Sequence, residues 1–321
     1  EVGELVLSNA LGAGGNPARL AALAAGLPER VAGLSLDRQC AGGLDALLLG
    51  QALIASDQCE LVVAGGVESY SRRPYRAWQG PEGLEPYDRP PFSPFADSDP
   101  DMAEAAAALA EEQGISRARQ DAWAQQSHAK ALAARDALAE EIVAIPPGSE
   151  TQDSFARPMS DRLCSRAKII TGSVTHANAC VAADAAAFVV LAAGEGPGIA
   201  LTHGVTRGGD PARPGLAPVA AIGETLAAAG LAPGDLSHAE IMEAYAVQAL
   251  ACIDGAGLDP GIVNRRGGAL ARGHPIGASG AVLAVRLWHD LQRDAGSHGL
   301  AAIAAAGGIG TALVMARCRE S

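Results

Sequence analysis

Leu34-Ser-Leu-Asp-Arg-Gln-Cys40-Ala-Gly-Gly-Leu-Asp-Ala46 is the stretch from which the rest of the chain can be read. Two alternating apolar residues, Leu34 and Leu36, give way to a Cys-Ala-Gly-Gly turn, and Leu44-Asp-Ala-Leu-Leu-Leu49 follows as a strong helix former. The pattern predicts a strand handing over to a helix with Cys40 at the junction. A thiol there faces unpaired backbone N–H groups and the positive end of a helix dipole, which favour thiolate over thiol. Gly42 and Gly43 let another backbone or a substrate approach closely. The plainer reading is a buried, inert cysteine beside a tight turn.

Composition sets the frame. At 321 residues the chain is long enough for two domain-sized units. It is 49% hydrophobic but only 3% aromatic and holds 39 glycines, which suits small-residue helices packed closely on sheets. A net charge of −12 argues against nonspecific nucleic-acid binding, while leaving room for an anionic small substrate held by a few local arginines. Cys40, Cys59, Cys164, Cys180, Cys252 and Cys318 form no CxxC pair and no small-domain disulfide spacing, so reduced thiols in a cytoplasmic setting are expected. The histidines do not cluster with Cys or carboxylates at ligand spacing, so no metal is expected. No apolar run reaches membrane length and Glu1 is not followed by a signal peptide, so no membrane span is expected.

Taken in order, residues 4–8 read as a buried strand, and Asn16-Pro17 opens a helix with Asn as its cap. Glu60–Ala64 reads as a second strand stopping at Gly65-Gly66. From Ser71 to Asp101 the chain is rich in Pro, Arg and aromatics without periodicity, a loop long enough to cover a site or meet a partner. Helices are expected over Met102–Gln113 and Arg117–Leu138, and a strand over Ala185–Leu191. Beyond the Gly-rich punctuation at 194–198, a strand at Gly198–Thr202, a helix at Pro218–Ala229, a strand at Ala239–Met242 and a helix at Ala246–Ala256 follow. A Gly-rich loop over 261–280, a helix over Ala281–Arg293 and a strand over Leu300–Ala305 complete the series.

The halves repeat. Cys40-Ala-Gly-Gly43, helix, strand, Ala64-Gly-Gly66 resembles Gly277-Ala-Ser-Gly280, helix, strand, Ala306-Gly-Gly308, and Glu4–Ala10 matches Glu240–Ala246. Strands alternating with helices imply mixed, mostly parallel sheets covered by helices. The expectation is an α/β pseudo-dimer. Its first half spans 1–71 plus 172–195, its second half 196–321, and 72–171 forms an inserted loop domain. The second copy has a strand and a helix ahead of its matching segment, which the first, starting at Glu1, does not show.

The second chemical cluster is Asn264-Arg-Arg-Gly-Gly-Ala-Leu-Ala-Arg-Gly-His274-Pro-Ile-Gly-Ala-Ser-Gly280. Its glycines and proline indicate a fixed irregular loop approached closely by something else. An imidazole there can take a proton from a thiol or polarise a carbonyl; a satisfied interior histidine is the plainer alternative.

Asp37-Arg-Gln-Cys-Ala-Gly-Gly43, Ala64-Gly-Gly-Val-Glu-Ser69, Glu243-Ala-Tyr-Ala246 and Gly273-His-Pro-Ile-Gly-Ala-Ser-Gly280, in this order, resemble the thiolase family, and Asn16-Pro-Ala-Arg19 and Val174-Thr-His-Ala-Asn-Ala179 fit as well. The resemblance covers essentially the whole chain. It implies a five-layer αβαβα fold, a loop domain over a coenzyme A thioester pocket, and a homodimer or homotetramer. It also implies acyl transfer from acyl-CoA or acetyl-CoA through a cysteine thioester, with no cofactor beyond that substrate. On this resemblance Cys40 is the acyl-accepting nucleophile and His274 its base. Cys40, Gly308 and His274 contribute to the oxyanion holes. Met102, Cys180, Ala244, Tyr245 and Ser279 line the substrate. Arg72, Arg73, Arg76 and Arg89 are candidates for coenzyme A phosphates, or plain surface charges.

Two positions depart from the family pattern. The second catalytic cysteine, counted back from Gly307-Gly-Ile-Gly310, falls on Ala304, and the Asn of the family's Asn-Glu-Ala-Phe element falls on Met242, which cannot donate a hydrogen bond. The leading expectation is therefore an acyltransferase with its carbon–carbon half altered. The alternatives are a non-catalytic binding or partner subunit, and a thioester hydrolase or decarboxylative condensing enzyme on the same fold.

Overall fold

The structure, a computed structural model, describes residues 1–145, 151–194, 196 and 198–318. In the first half, strand β1 (Val2–Ser8) leads to helix α1 (Pro17–Ala24), whose first turn is closed by the Asn16 side chain accepting from Arg19 N–H. Strand β2 (Leu34–Leu36), a single turn over Gln39–Ala41 and helix α2 (Gly42–Ala55) follow, then strand β3 (Leu61–Ser69).

Residues 72–171 carry a hairpin of β4 (Ala77–Gly80) and β5 (Gly83–Pro86), then helices α3 (Met102–Glu112), α4 (Arg117–Ala133), α5 (Arg135–Ala139) and α6 (Asp161–Arg166). The short strands β6 (Ile169–Thr171) and β7 (Val174–Thr175) lead back to β8 (Asp184–Ala192). The second half consists of β9 (Gly198–Gly208), α7 (Ala217–Ala229), β10 (His238–Ile241), α8 (Ala246–Ala256), the short α9 (Ala269–Arg272), α10 (Ser279–Arg293), β11 (His298–Ala305) and β12 (Ile309–Cys318).

Two four-stranded sheets result, ordered β2-β1-β3-β8 and β10-β11-β12-β9. In each, a parallel pair (β1·β3, β10·β11) is followed by an antiparallel neighbour (β8, β12). A parallel bridge from Ala239 to Val263 stands where β2 stands in the first sheet. The repeat seen in the sequence is thus a repeat of topology. Strand β9 has no counterpart among the described residues of the first sheet.

Side-chain alternation along the strands shows the layers. Leu5 and Leu7 of β1 pack with Ala18 and Ala22 of α1, whereas Val6 faces a core shared with Leu44 and Leu47 of α2 and Leu283, Leu287 and Leu291 of α10. Ala301 and Ile303 of β11 face that same middle core, while Leu300 and Ala302 turn the other way onto α7 and α8. The order is α1, first sheet, α2 with α10, second sheet, α7 with α8: five layers, αβαβα.

The two repeat motifs meet in the middle layer. A Cβ on Gly43 would lie 2.3 Å from Ala281 N, and one on Gly280 would lie 2.4 Å from Leu44 N, so the N-termini of α2 and α10 touch backbone to backbone at equivalent glycines. Replacing Gly43 with Ala is expected to push these helices apart and to lower stability by about 1–3 kcal/mol, the usual range for forced overpacking. Urea unfolding checks this; an unchanged midpoint would show that the contact relaxes freely.

Several expectations need correction. Strand β3 does not stop at Gly65-Gly66 but runs on to Ser69, paired with β8 throughout. The glycines are there for approach: a Cβ on Gly66 would lie 2.2 Å from Gly277 O of the histidine loop. The helix expected over Arg117–Leu138 is broken at Ala134 (φ −97°, ψ 10°), with Ser116 capping its start as expected. The aperiodic Ser71–Asp101 segment holds the β4–β5 hairpin, and the 261–280 loop holds α9 and a further turn over Ile276–Ala278. No described helix is long and apolar enough to cross a membrane.

Candidate active site

Cys40 is presented by strain and by a helix start. The residue before it, Gln39, sits at φ +52°, in the left-handed region that non-glycine residues rarely occupy, with its N–H donated to Asp37 Oδ1 at 2.7 Å. The chain then turns directly into α2. Asp45 in the first turn of α2 ties this corner to the other half of the molecule, since Thr311 of β12 donates to its Oδ1 at 3.2 Å and Thr206 of β9 donates to the same oxygen. Strand β11 packs on the Gln39–Ala41 turn.

His274 reaches the same point from the second half. Its Nε2 lies 3.2 Å from Cys40 Sγ, across 234 residues of sequence. Its Nδ1 lies 2.6 Å from Ser279 Oγ, and that hydroxyl donates to Pro275 O at 3.1 Å. With the hydroxyl proton committed to Pro275, Ser279 Oγ is left to accept from Nδ1–H. The lone pair of the imidazole is then on Nε2, facing the thiol. Ser279 is buried beside the imidazole and fixes its tautomer.

The backbone of His274 is equally fixed. Its N–H donates to Val181 O at 2.7 Å, and one turn later Gly277 N–H donates to Glu68 Oε2 at 3.0 Å. Glu68, at the end of β3, also accepts from Asn9 Nδ2 (3.1 Å), Ala10 N (3.2 Å) and Leu11 N (3.2 Å), so one buried carboxylate joins the loop after β1 to the histidine loop. A second one, Glu243, accepts from Trp123 Nε1 (3.0 Å), Asn264 Nδ2 (2.7 Å), Ser127 Oγ (2.8 Å) and Leu270 N (3.1 Å), holding the start of the histidine loop to α4. Both glutamates stand inside motifs legible in the sequence; their clamp role depends on joining donors that include Gly277 for Glu68, and Trp123 and Ser127 for Glu243, each more than 100 residues away.

Electrostatics correct the expectation for Cys40. Burial pushes its thiol up to about 12; its own backbone N–H opposes this, while Glu68 and Asp37 add to it. Burial holds His274 down to about 4. The helix start does not create a standing thiolate, because desolvation outweighs one N–H and a dipole end. The resting pair is a neutral thiol donating to a neutral imidazole. Such a pair can deliver a thiolate at the moment of attack, with the proton moving to Nε2.

This geometry belongs with a known family. The family described as "Thiolase, N-terminal domain" matches residues 1–195, and "Thiolase, C-terminal domain" matches residues 197–317. The chain belongs to the thiolase family. It is 39% identical over 330 residues to the protein named "Putative acetyl-CoA C-acetyltransferase YhfS" of Bacillus subtilis, covering 98% of this chain and 87% of that one. It is 34% identical to "Putative acetyl-CoA C-acetyltransferase VraB" of Staphylococcus aureus strain MRSA252, covering 99% of this chain and 88% of that one. Among solved structures, human mitochondrial 3-ketoacyl-CoA thiolase superposes with a TM-score of 0.89 at 28% identity over 99% of this chain and 88% of its own, and its complex with CoA gives 0.90.

Within this thiolase fold the remaining positions separate by exposure. Cys180, Ala244, Tyr245 and Ala304 are half-buried like Cys40 and His274. Met102 opens α3, just after Asp101, whose carboxylate caps the helix; burial, then Cys180 and Asp101, raise the pKa of the Tyr245 phenol. Met242 is 1% exposed and packs in the middle core with Ala41 and Ile303. Gly307 and Gly308 form the β11–β12 turn at φ +77° and +76°, and a Cβ on Gly308 would strike Asp210 O at 2.5 Å. Of the loop arginines, Arg73 and Arg76 donate to the backbone carbonyls of Tyr70 and Ala10, and Arg89 to those of Asp99 and Pro100. Arg73 and Arg89 are committed to their own loop and Arg76 to the loop after β1; Arg72 is exposed.

Proposed function

We propose that this chain is a thiolase-type acyltransferase that carries an acyl group from an acyl-CoA, nominally acetyl-CoA or a 3-ketoacyl-CoA, on Cys40. The observation that carries the reading is the 3.2 Å contact between Cys40 Sγ and His274 Nε2, with Ser279 holding the imidazole in the accepting tautomer. As Sγ attacks the thioester carbonyl carbon, its proton passes to Nε2. The oxygen, gaining negative charge, accepts from the N–H of Cys40 and that of Gly308. The tetrahedral carbon then expels the CoA sulfur, which takes the proton back from His274. Met102, Ala244 and Tyr245 form the wall along the thioester chain, and no cofactor is required beyond the substrate. The complex of human mitochondrial 3-ketoacyl-CoA thiolase with CoA, on the same fold, supports coenzyme A thioesters as the ligand.

The carbon–carbon half is altered: Ala304 replaces the family's second cysteine, and Met242 its asparagine. Those two replacements favour a second reading, a non-catalytic subunit that works only beside a partner; a hydrolase or decarboxylative condensing enzyme is the variant that keeps the acyl-enzyme. A cytoplasmic homodimer or homotetramer completes the proposal; the six free thiols support the compartment and the family resemblance the assembly.

Intact-mass measurement after mixing with acetyl-CoA is expected to show one acetyl adduct that is absent from Cys40→Ala. Absence of any adduct with short acyl-CoAs would sink the acyltransferase reading. Activity that appears only on adding a second protein would favour the subunit reading, and CoA release without a new carbon–carbon bond would favour hydrolysis.

A further inference from the structure

A second thiol stands at this site, on a different element from the one the family pattern uses. Residues 179–182 form a short extended segment stitched between the two chemical loops. Ala179 bridges Tyr245, Cys180 N–H donates to Ala244 O at 3.0 Å, Val181 O accepts from His274 N–H at 2.7 Å, and Ala182 bridges His274. Cys180 is therefore held on one side by the segment before α8 that carries Ala244 and Tyr245 and, one residue on, by the backbone of His274. Its side chain packs against the middle core, as Cys40 does, and also against the core that Tyr245 joins. Like Cys40 it is half-buried as a residue.

The Cys180 thiol also senses Cys40. Burial and then Cys40 push the Cys180 thiol up to about 12, with Glu243 adding to this, and burial, then Cys180, Asp101 and Cys40, raise the Tyr245 phenol. A thiol in that setting rests protonated and is a strong base once it has given its proton away. Position 304, half-buried on β11, carries only a methyl group.

We propose that Cys180 moves the proton in the carbon–carbon half of the reaction, in place of the thiol that position 304 lacks. This rests on the acyl-Cys40 reading above and extends it. In thiolysis, Cys40 sulfur adds to C3 of a 3-ketoacyl-CoA, its proton going to His274, and the C2–C3 bond breaks. The electron pair of that bond becomes the enolate of acetyl-CoA, which takes the Cys180 proton at C2. The products of this half are acetyl-CoA, acyl-Cys40 and a Cys180 thiolate. Incoming CoA thiol gives its proton to Cys180, its sulfur attacks acyl-Cys40, and the departing Cys40 sulfur regains the proton held on His274. Condensation is the same sequence reversed, with Cys180 thiolate removing a C2 proton from acetyl-CoA.

The test separates the half-reactions in the full chain. Three readouts are compared in wild type, Cys180→Ala and Cys180→Ser: the acetyl adduct on Cys40, deuterium uptake at C2 of acetyl-CoA in D2O, and thiolysis of a short 3-ketoacyl-CoA. In Cys180→Ala, C2 exchange and thiolysis are expected to fall together by about 10²–10⁴-fold, the usual loss on removing a positioned acid or base, while the adduct still forms. Cys180→Ser keeps the size of the side chain but offers a far weaker acid, and is expected to fall at least about tenfold in the same two readouts. Exchange and thiolysis within a factor of a few of wild type in Cys180→Ala would overturn the proposal. So would a parallel loss of the adduct, which would make Cys180 a pocket wall. A wild type that forms the adduct but never exchanges C2 would also overturn it while leaving acyl-Cys40 standing. A wild type that forms no adduct would overturn both readings.

Discussion

Replacing His274 with Ala is expected to slow acylation of Cys40 by about 10²–10⁴-fold, the range for loss of a positioned base. The cause is direct: Nε2 is 3.2 Å from the thiol, and its removal takes away the acceptor that the Sγ–H proton has in this structure. The pH dependence follows from burial of both groups. His274 is held down to about 4 and Cys40 pushed up to about 12, so between those values the pair stays neutral and correctly protonated. The acylation rate of wild type is therefore expected to be level from about pH 5 to 9 and to fall only as pH drops toward the histidine's value, where the imidazole takes a proton and loses its accepting lone pair. Rapid-mixing mass measurements across pH check both points. A break near 6.5, the ordinary histidine value, would show that His274 is solvated in the working enzyme. A loss below tenfold in His274→Ala would remove it from the base's role.

Glu243→Ala is expected to be the most damaging substitution outside the reacting atoms. Four donors converge on this fully buried carboxylate, and Trp123, Ser127, Asn264 and Leu270 are themselves buried. Removing the acceptor leaves each of them unpaired away from water, at about 1–3 kcal/mol per group before relaxation. Allowing for water entering the space, a net loss of about 3–5 kcal/mol is expected. Urea unfolding should show it as a lower midpoint at unchanged slope. Activity is expected to fall as well, because Asn264 and Leu270 bracket the approach to His274. Glu243→Gln should lie between wild type and Ala, since its amide keeps one accepting oxygen and turns two hydrogens toward donors. Loss of less than about 1 kcal/mol in Glu243→Ala would show that the donors find other partners.

Glu243 and Glu68 show how partial the view from sequence is. Both sit inside recognisable motifs, yet what they do depends on where Trp123, Ser127, Asn9 and Gly277 come to lie. A carboxylate in a motif can be a ligand, an acid or a clamp; four N–H and O–H donors arriving from two separate segments make it a clamp. Ser279 is similar. The family resemblance sets it against the substrate, and the Pro275 carbonyl beside its hydroxyl shows how it orients the imidazole.

Local chemistry settled much of this protein before any tertiary contact is considered. Asn16 and Ser116 cap their helices, Cys40 lies where a strand hands over to a helix, and the paired Cys-Ala-Gly-Gly and Gly-Ala-Ser-Gly motifs mark a duplicated unit, because caps, periodicity and repeats are written within a few residues of each other. What the tertiary structure alone decided is the fate of residues whose environment comes from far away. Gly66 sits inside a strand because the histidine loop needs its space, and β12 is recognisable as the partner of β9 and β11 only once the sheet is built. The thiol expected as a thiolate rests as a neutral donor, because burial by both halves of the molecule outweighs the helix start on which it sits. Its proton acceptor is 234 residues away in sequence and 3.2 Å away in space.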